Sequence, residues 1–310
     1  MFGFLKGKQK TLTGMDIGSS VVKCLRLDLS QDRPLITHFA MVDLAPEAIV
    51  DGEIMDRELV IEAIREAADK ANIPAEPVST AVSGRAVIVK KIVMDKMTEE
   101  DAREAIYWEA EQHVPFDIDD ITLDFQILQP DIGAGQMELL LVAAKKEMIL
   151  NWADLIRDAG FRPAIIDVAS FANQNAWEFG GGNAQPAIVP GDADEDAADG
   201  VDTLEPFGES DADAGDDTDD DGPSEFVALL DVGGGVTNVH IVRDGVPYFT
   251  RDLPIGVAHF IEEFQKQLGL TYETAQDVAR GHLDDVDSQL VADIVHSVGS
   301  EIYQGLEPSL

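Results

Sequence analysis

One cysteine, Cys24, stands among 310 residues. No internal disulfide can therefore brace this chain, and a reducing compartment is the expectation. No apolar run approaches the roughly 18 residues that a membrane-spanning helix needs, so no direct membrane insertion is expected. Residues 1–10 carry Lys6, Lys8 and Lys10 with no long apolar stretch behind them, and read as neither signal peptide nor anchor. Positive charge is scarce: 22 Lys and Arg face 60 Asp and Glu, a net charge of −38. A surface of that sign repels phosphate backbones and anionic head groups, which argues against nucleic-acid binding. The six histidines (His38, His113, His240, His259, His282, His296) fall into no H-x₃-H pattern, and there is no C-x₂-C. A zinc site is not expected. Neither a G-x-S-x-G elbow nor the G-K-[ST] of a Walker A loop occurs. Cys24 sits in mid-strand and reads as a small buried hydrophobe rather than a nucleophile.

Hydrophobic residues make up 45% of the chain, enough for two packed domains. Part of the acidic excess is local, since residues 184–225 hold 16 Asp or Glu and no Lys or Arg. That stretch is rich in Asp, Gly, Ala and Pro, cannot bury enough surface to offset the entropy of ordering, and is read as a disordered insert. A docking tail for a basic partner is the competing reading. Without it, acids still outnumber bases 44 to 22.

The remaining pattern is α/β. Residues 12–17 form an apolar run ending in Gly18-Ser19-Ser20, and 21–27 alternate as a half-buried strand does. Apolar residues at helical spacing over 56–70 are followed by a strand at 78–82. A distinct block then reads strand 86–93, helix 98–113, strands 122–128 and 137–143, and helix 146–160. Thr98 is the expected N-cap of its helix, with Asp101 three residues on. Strand 164–168 and helix 171–179 follow. Beyond the acidic stretch the opening pattern recurs: strand 226–232, Gly233-Gly234-Gly235, strand 236–242, a turn at Asp244-Gly245 and strand 246–252.

The chain thus holds one device twice, an apolar strand carrying Asp16 or Asp231 and then a turn of small residues. Glycine suits a turn that an anionic phosphate must approach closely, where a Cβ would intrude. Successive backbone N–H groups and hydroxyls then meet the phosphate oxygens. A carboxylate beside them acts through hydrated Mg²⁺, which keeps most of its waters. One such turn is weak evidence, because Asp and Gly are ordinary turn residues. Two, each between apolar strands and far apart in sequence, point to a pair of hairpins facing one another across a nucleotide.

The order Asp16-Ile17-Gly18-Ser19-Ser20, Asp167, Asp231-Val232-Gly233-Gly234-Gly235 resembles the two phosphate loops and the connecting segment of the actin, Hsp70 and sugar-kinase superfamily. Within it, residues 1–22, 50–54, 123–128, 141–146 and 251–256 resemble the PilM proteins of type IV pilus platforms, relatives of the division protein FtsA. The stretch Glu109-Ala110-Glu111-Gln112-His113-Val114-Pro115-Phe116 is the most family-specific. The resemblance implies an actin-like (RNase H-like) two-domain ATPase fold. Residues 1–85 and 163–183 would form the first domain, 86–162 an inserted αβ subdomain, and 226–310 an incomplete second domain.

It further implies ATP and Mg²⁺ as ligands, with Asp16 and Asp231 holding the metal through water. Gly18, Ser19, Ser20, Gly233, Gly234, Gly235 and Thr237 would receive phosphate oxygens, Lys23 would neutralise phosphate charge, and Gly256 would lie near the ribose. Asp167 matches the connecting-segment acid that positions water or metal. Lys23 reads equally as an outward strand lysine, and Asp167 as a polar strand end. Two departures stand out. The family's final Gly-Gly segment and terminal helix are not present, and its A-E-x-x-K pattern reads Ala275-Gln276-Asp277-Val278-Ala279 here, with Arg280 as a substitute cation. Both weigh against adenine recognition and turnover, and the expectation is nucleotide binding with weak or absent ATPase activity.

The functional expectation is a cytoplasmic scaffold of the type IV pilus, or related type II secretion, platform. It would lie at the inner membrane through its partners and take the amino-terminal tail of a PilN-like membrane protein beside the inserted subdomain. Other platform proteins are further candidate partners. An FtsA-like cytoskeletal ATPase and a sugar kinase of the same superfold are the alternatives. Tyr107, Trp108, His113, Val114, Pro115 and Phe116 read first as helix packing and a proline stop. Tyr107 and Trp108 are adjacent and cannot share one helix face.

Overall fold

The structure, a computed structural model, describes residues 10–180 and 226–306 apart from 31–33, 51, 85 and 284–285. The acidic stretch 184–225, expected to be disordered, lies outside the described residues, as do residues 1–9.

The first domain opens with strands β1 (Thr11–Ile17), β2 (Val21–Asp28) and β3 (Leu35–Asp43) and the short pair β4 (Ile49–Val50) and β5 (Glu53–Ile54). Helix α1 (Arg57–Lys70) and strand β6 (Pro77–Val82) follow. Asp56 caps α1 by accepting from Leu59 N at 3.2 Å, and the stripe Val60, Ile61, Ala63, Ile64, Ala67 and Ala68 is buried. Removing such a cap costs about 1 kcal/mol. The inserted subdomain contributes β7 (Val87–Asp95), α2 (Glu99–His113), a 3₁₀ turn at Ile118–Asp120, β8 (Ile121–Gly133) and β9 (Gln136–Lys145). Then come α3 (Lys146–Asp158), β10 (Arg162–Val168) and α4 (Ala169–Phe179). The second domain holds β11 (Phe226–Val232), β12 (Thr237–Arg243), β13 (Val246–Leu253), α5 (Val257–Leu268), α6 (Tyr272–Ala279) and α7 (Ser288–Leu306).

Three cores result. The first sheet runs β10-β6-β1-β2-β3, with β6 parallel to both β1 and β10 and the hairpins antiparallel. Its core joins Met15, Val22, Cys24, Ile64 and Val78 to Trp152, Leu155 and Ile156 of α3. Helix α3, expected with the inserted block, thus buries its apolar face in the first domain. Burial pushes the Cys24 thiol up to about 11, as expected of a packed strand cysteine. The inserted sheet, ordered β7-β9-β8, packs on α2. The second domain's sheet runs β11-β12-β13, and α5, α6 and α7 share their own core.

Strand β3 was not anticipated from sequence. Its core face carries His38 beside Ala40 and Val42, while Phe39 and Met41 are exposed on the other side. Thr98 caps α2 as expected, accepting from Asp101 N at 3.2 Å. Adjacent Tyr107 and Trp108 were expected to place one ring in the helix packing and one outward; that is corrected, because both are exposed, Trp108 at 73%. The reason is spacing, because α2 buries Ala102, Ile106 and Ala110, one residue per turn, and both aromatics fall off that stripe. Val114 is buried, and Phe116 lies under Lys145 with the ammonium 4.9 Å from the ring centroid.

Candidate functional site

The duplicated device forms two hairpins of one geometry. Gly18 N donates to Val21 O at 3.0 Å and Gly233 N to Val236 O at 2.9 Å, closing each turn. A Cβ on Gly233 would stand 2.9 Å from Val236 O, so the turn itself requires glycine there. Strand register sets Asp16 opposite Lys23 and Asp231 opposite Asn238.

The two hairpins meet at one cleft of about 430 Å³. Asp16, Gly18, Ser19, Ser20 and Lys23 line it from the first domain, and Asp231, Gly233 and Gly234 from the second. The turns also touch each other: a Cβ on Gly234 would fall 1.7 Å from Ser20 Oγ and 2.8 Å from Ser19 Oγ. Gly235, Thr237, Gly256 and Asp167 are placed outside the lining. Thr237 is buried and its hydroxyl donates to Ile255 O at 2.7 Å. Gly256 packs beneath the second turn, where a Cβ would meet Gly233 O at 2.5 Å. The next two amides, of Val257 and Ala258, donate to Gly233 O and Gly234 O. Asp167 accepts from Val168 N at 2.8 Å, and burial raises its carboxyl above the ordinary aspartate range.

Lys23 carries the cleft's electrostatics. Its ammonium lies 2.8 Å from Asp16 Oδ2. The hydrogen bond to Asp16, with the attraction of Asp16 and of Asp231, holds its pKa above the ordinary lysine value against the cost of partial burial. One cation thus answers to both carboxylates. Asp231 also accepts from Asn173 Nδ2 of α4 at 3.0 Å. Sequence reasoning passed over Asn173, since an Asn on a helix face carries no motif. Among the described residues no group of three or more His, Cys, Asp or Glu gathers as a ligand set. Two carboxylates on either side of a roomy cleft would suit a hydrated Mg²⁺ held through its waters.

Tyr272, Gln276 and Arg280 of the α6 region also line the cleft, with Asp43 at the end of β3, which pairs with Val21 beside the first turn. Arg280 Nη2 reaches Asp43 Oδ2 at 3.4 Å across the domain gap. A guanidinium and an amide here can meet a base or ribose by hydrogen bonds. Helix α4 joins the domains from below. Gln174 donates to Gly245 O at 2.9 Å, and its Oε1 lies 2.9 Å from His240 Nε2. His240 Nδ1 meets Thr250 Oγ1 at 2.7 Å, and Phe171 packs edge-on against the ring at 5.9 Å.

A family model described as type IV pilus assembly protein PilM matches residues 14–184, more than half of the chain. A solved PilM-PilN type IV pilus biogenesis complex matches with a TM-score of 0.73 and 24% identity, over 96% of this chain and 76% of that one. The ethanolamine utilization protein EutJ of Carboxydothermus hydrogenoformans matches with a TM-score of 0.51 and 12% identity, over 97% of this chain and 72% of that one. At such identities both likenesses speak for the fold.

Proposed function

The chain belongs to the type IV pilus assembly protein PilM family, and on that premise we propose that it is a cytoplasmic, nucleotide-binding scaffold that docks the amino-terminal tail of a PilN-like membrane protein. The observation that carries the nucleotide half is the meeting of Asp16 and Asp231, 215 positions apart in sequence, on the walls of one cleft. Two carboxylates, two small-residue turns and Lys23 together match the charge and shape of a Mg²⁺-polyphosphate. ATP acts here as a ligand that favours the closed arrangement of the two domains, by its higher affinity for that arrangement. The docking half is supported by the family membership and by the solved relative, which was determined as a complex with PilN. No helix among the described residues is long and apolar enough to cross a membrane, so attachment to the inner membrane would run through partners.

Isothermal titration of the chain with Mg-ATP, then with the amino-terminal peptide of the PilN-type protein from the same genome, tests both halves. Saturable binding of each, without turnover that depends on a sugar, is the expected result. Sugar-dependent ATP consumption would move the assignment to a kinase of the same superfold.

A further inference from the structure

The two hairpins share one geometry but hold their acids differently. In the first, the residue across the strand pair serves the acid: Lys23, opposite Asp16, bonds it at 2.8 Å. In the second, the residue opposite Asp231 is Asn238, and its amide goes instead to Asp252 Oδ1 at 2.5 Å. Asp231 is served from another element. Asn173 of α4, the helix that follows β10 of the first sheet, donates from Nδ2 to Asp231 Oδ2 at 3.0 Å. A carboxylate only accepts, so the amide nitrogen is the end that must face it. The next residue on the helix fixes that aim. Gln174 is buried, donates to Gly245 O at 2.9 Å and lies 2.9 Å from His240 Nε2, which pins α4 against the β12–β13 hairpin. Asp16 is thus met by a cation and Asp231 by a neutral amide, which orients the carboxylate without cancelling its charge.

We propose that Asn173 is a positioning residue for the metal site, holding Asp231 Oδ2 so that this carboxylate is set in advance for a hydrated divalent cation in the cleft. Resting on the nucleotide reading above, this adds to the site a residue from outside the cleft's lining. A carboxylate with no such partner turns about its side-chain bonds and loses that freedom when it meets a metal, whereas a held one has lost it already. When a hydrogen-bond partner behind a metal-binding group is removed, affinity falls about 10–100-fold. The bond from Asn173 lasts only while α4 lies against β11 and β12, so the seating of this helix and the metal's affinity are linked.

The test is calorimetric titration of the full chain with ATP at a series of Mg²⁺ concentrations. Asn173→Leu keeps the shape of the side chain and removes its donor. It should raise the Mg²⁺ concentration for half-maximal ATP binding by about tenfold or more, while saturating Mg²⁺ restores the parent's ATP affinity. Loss of a residue that only packs would not be rescued by metal. Asn173→Gln, which keeps the amide, should recover part of the loss, and Asn173→Ala carries the same test if leucine disturbs the helix. An unchanged Mg²⁺ requirement in the leucine and alanine variants overturns the proposal. So does a loss of ATP affinity that excess Mg²⁺ leaves in place, and the nucleotide reading survives either result. No Mg-ATP binding by the unaltered chain overturns both.

Discussion

Lys23 and Asp16 face one another across the first hairpin with 2.8 Å between ammonium and carboxylate, and Lys23 is drawn by Asp231 of the other domain as well. A positive charge near two acids is what the Mg²⁺ of a bound nucleotide would also supply, and the lysine offsets part of the negative charge of Asp16 and Asp231. Being half-exposed, the pair adds under about 1 kcal/mol to stability. Asp16→Ala should therefore leave the melting temperature within a few degrees of the parent and abolish Mg-ATP binding by calorimetry. Unchanged affinity would falsify the site. Because the Lys23 pKa is raised in the folded chain, the pair's contribution is full below the ordinary lysine value and is lost as pH rises through the raised one.

Gly234 sits where the two turns touch, with the place of its absent Cβ 1.7 Å from Ser20 Oγ. Gly234→Ala sets a methyl on the Ser20 hydroxyl and 2.9 Å from Ser20 Cβ, and should push the two turns apart. We expect a larger radius of gyration in solution scattering and Mg-ATP binding weakened by about tenfold or more. Ser20→Gly in the same chain removes the obstructing side chain, so the double variant should regain the compact form. Additive losses would show that the turns do not set the domain spacing.

His240 joins α4 to the second domain from a buried position, and burial lowers its pKa. Its stabilising effect is present above the ordinary histidine value of about 6.5 and fades as pH falls toward the depressed one, because the unfolded chain takes the proton first. His240→Leu leaves Gln174 Oε1 and Thr250 Oγ1 without the ring and should cost about 1–3 kcal/mol at neutral pH. In denaturant titrations between about pH 7 and pH 5 its stability should fall less steeply than the parent's. Parallel slopes would remove His240 as the cause.

Arg280 spans the cleft to Asp43 at 3.4 Å, beside the first turn. If it meets the nucleoside, Arg280→Ala weakens Mg-ATP by several-fold and leaves Mg-triphosphate unaffected. Equal losses for both ligands would assign it to domain closure instead.

Local chemistry wrote much of this molecule into the chain. Thr98 and Asp101 mark the start of α2 because a cap needs only neighbours three residues away. The two Asp-plus-turn hairpins were legible because alternation and glycine act within a few residues. Strand β3 was hidden because its exposed Phe39 and Met41 and its core-facing His38 blur the alternation that marks a strand. Asn173 was hidden because its partner, Asp231, lies 58 positions away.

By itself, the sequence determined the duplicated hairpins, their carboxylates and the helix caps, because each rests on φ/ψ preferences and short-range hydrogen bonds. Only the tertiary structure decided that Asp16 and Asp231 share one cleft, and that Thr237 and Gly256 support the second turn rather than line it. Those outcomes depend on how domains far apart in the chain pack, and no run of neighbouring residues carries that information.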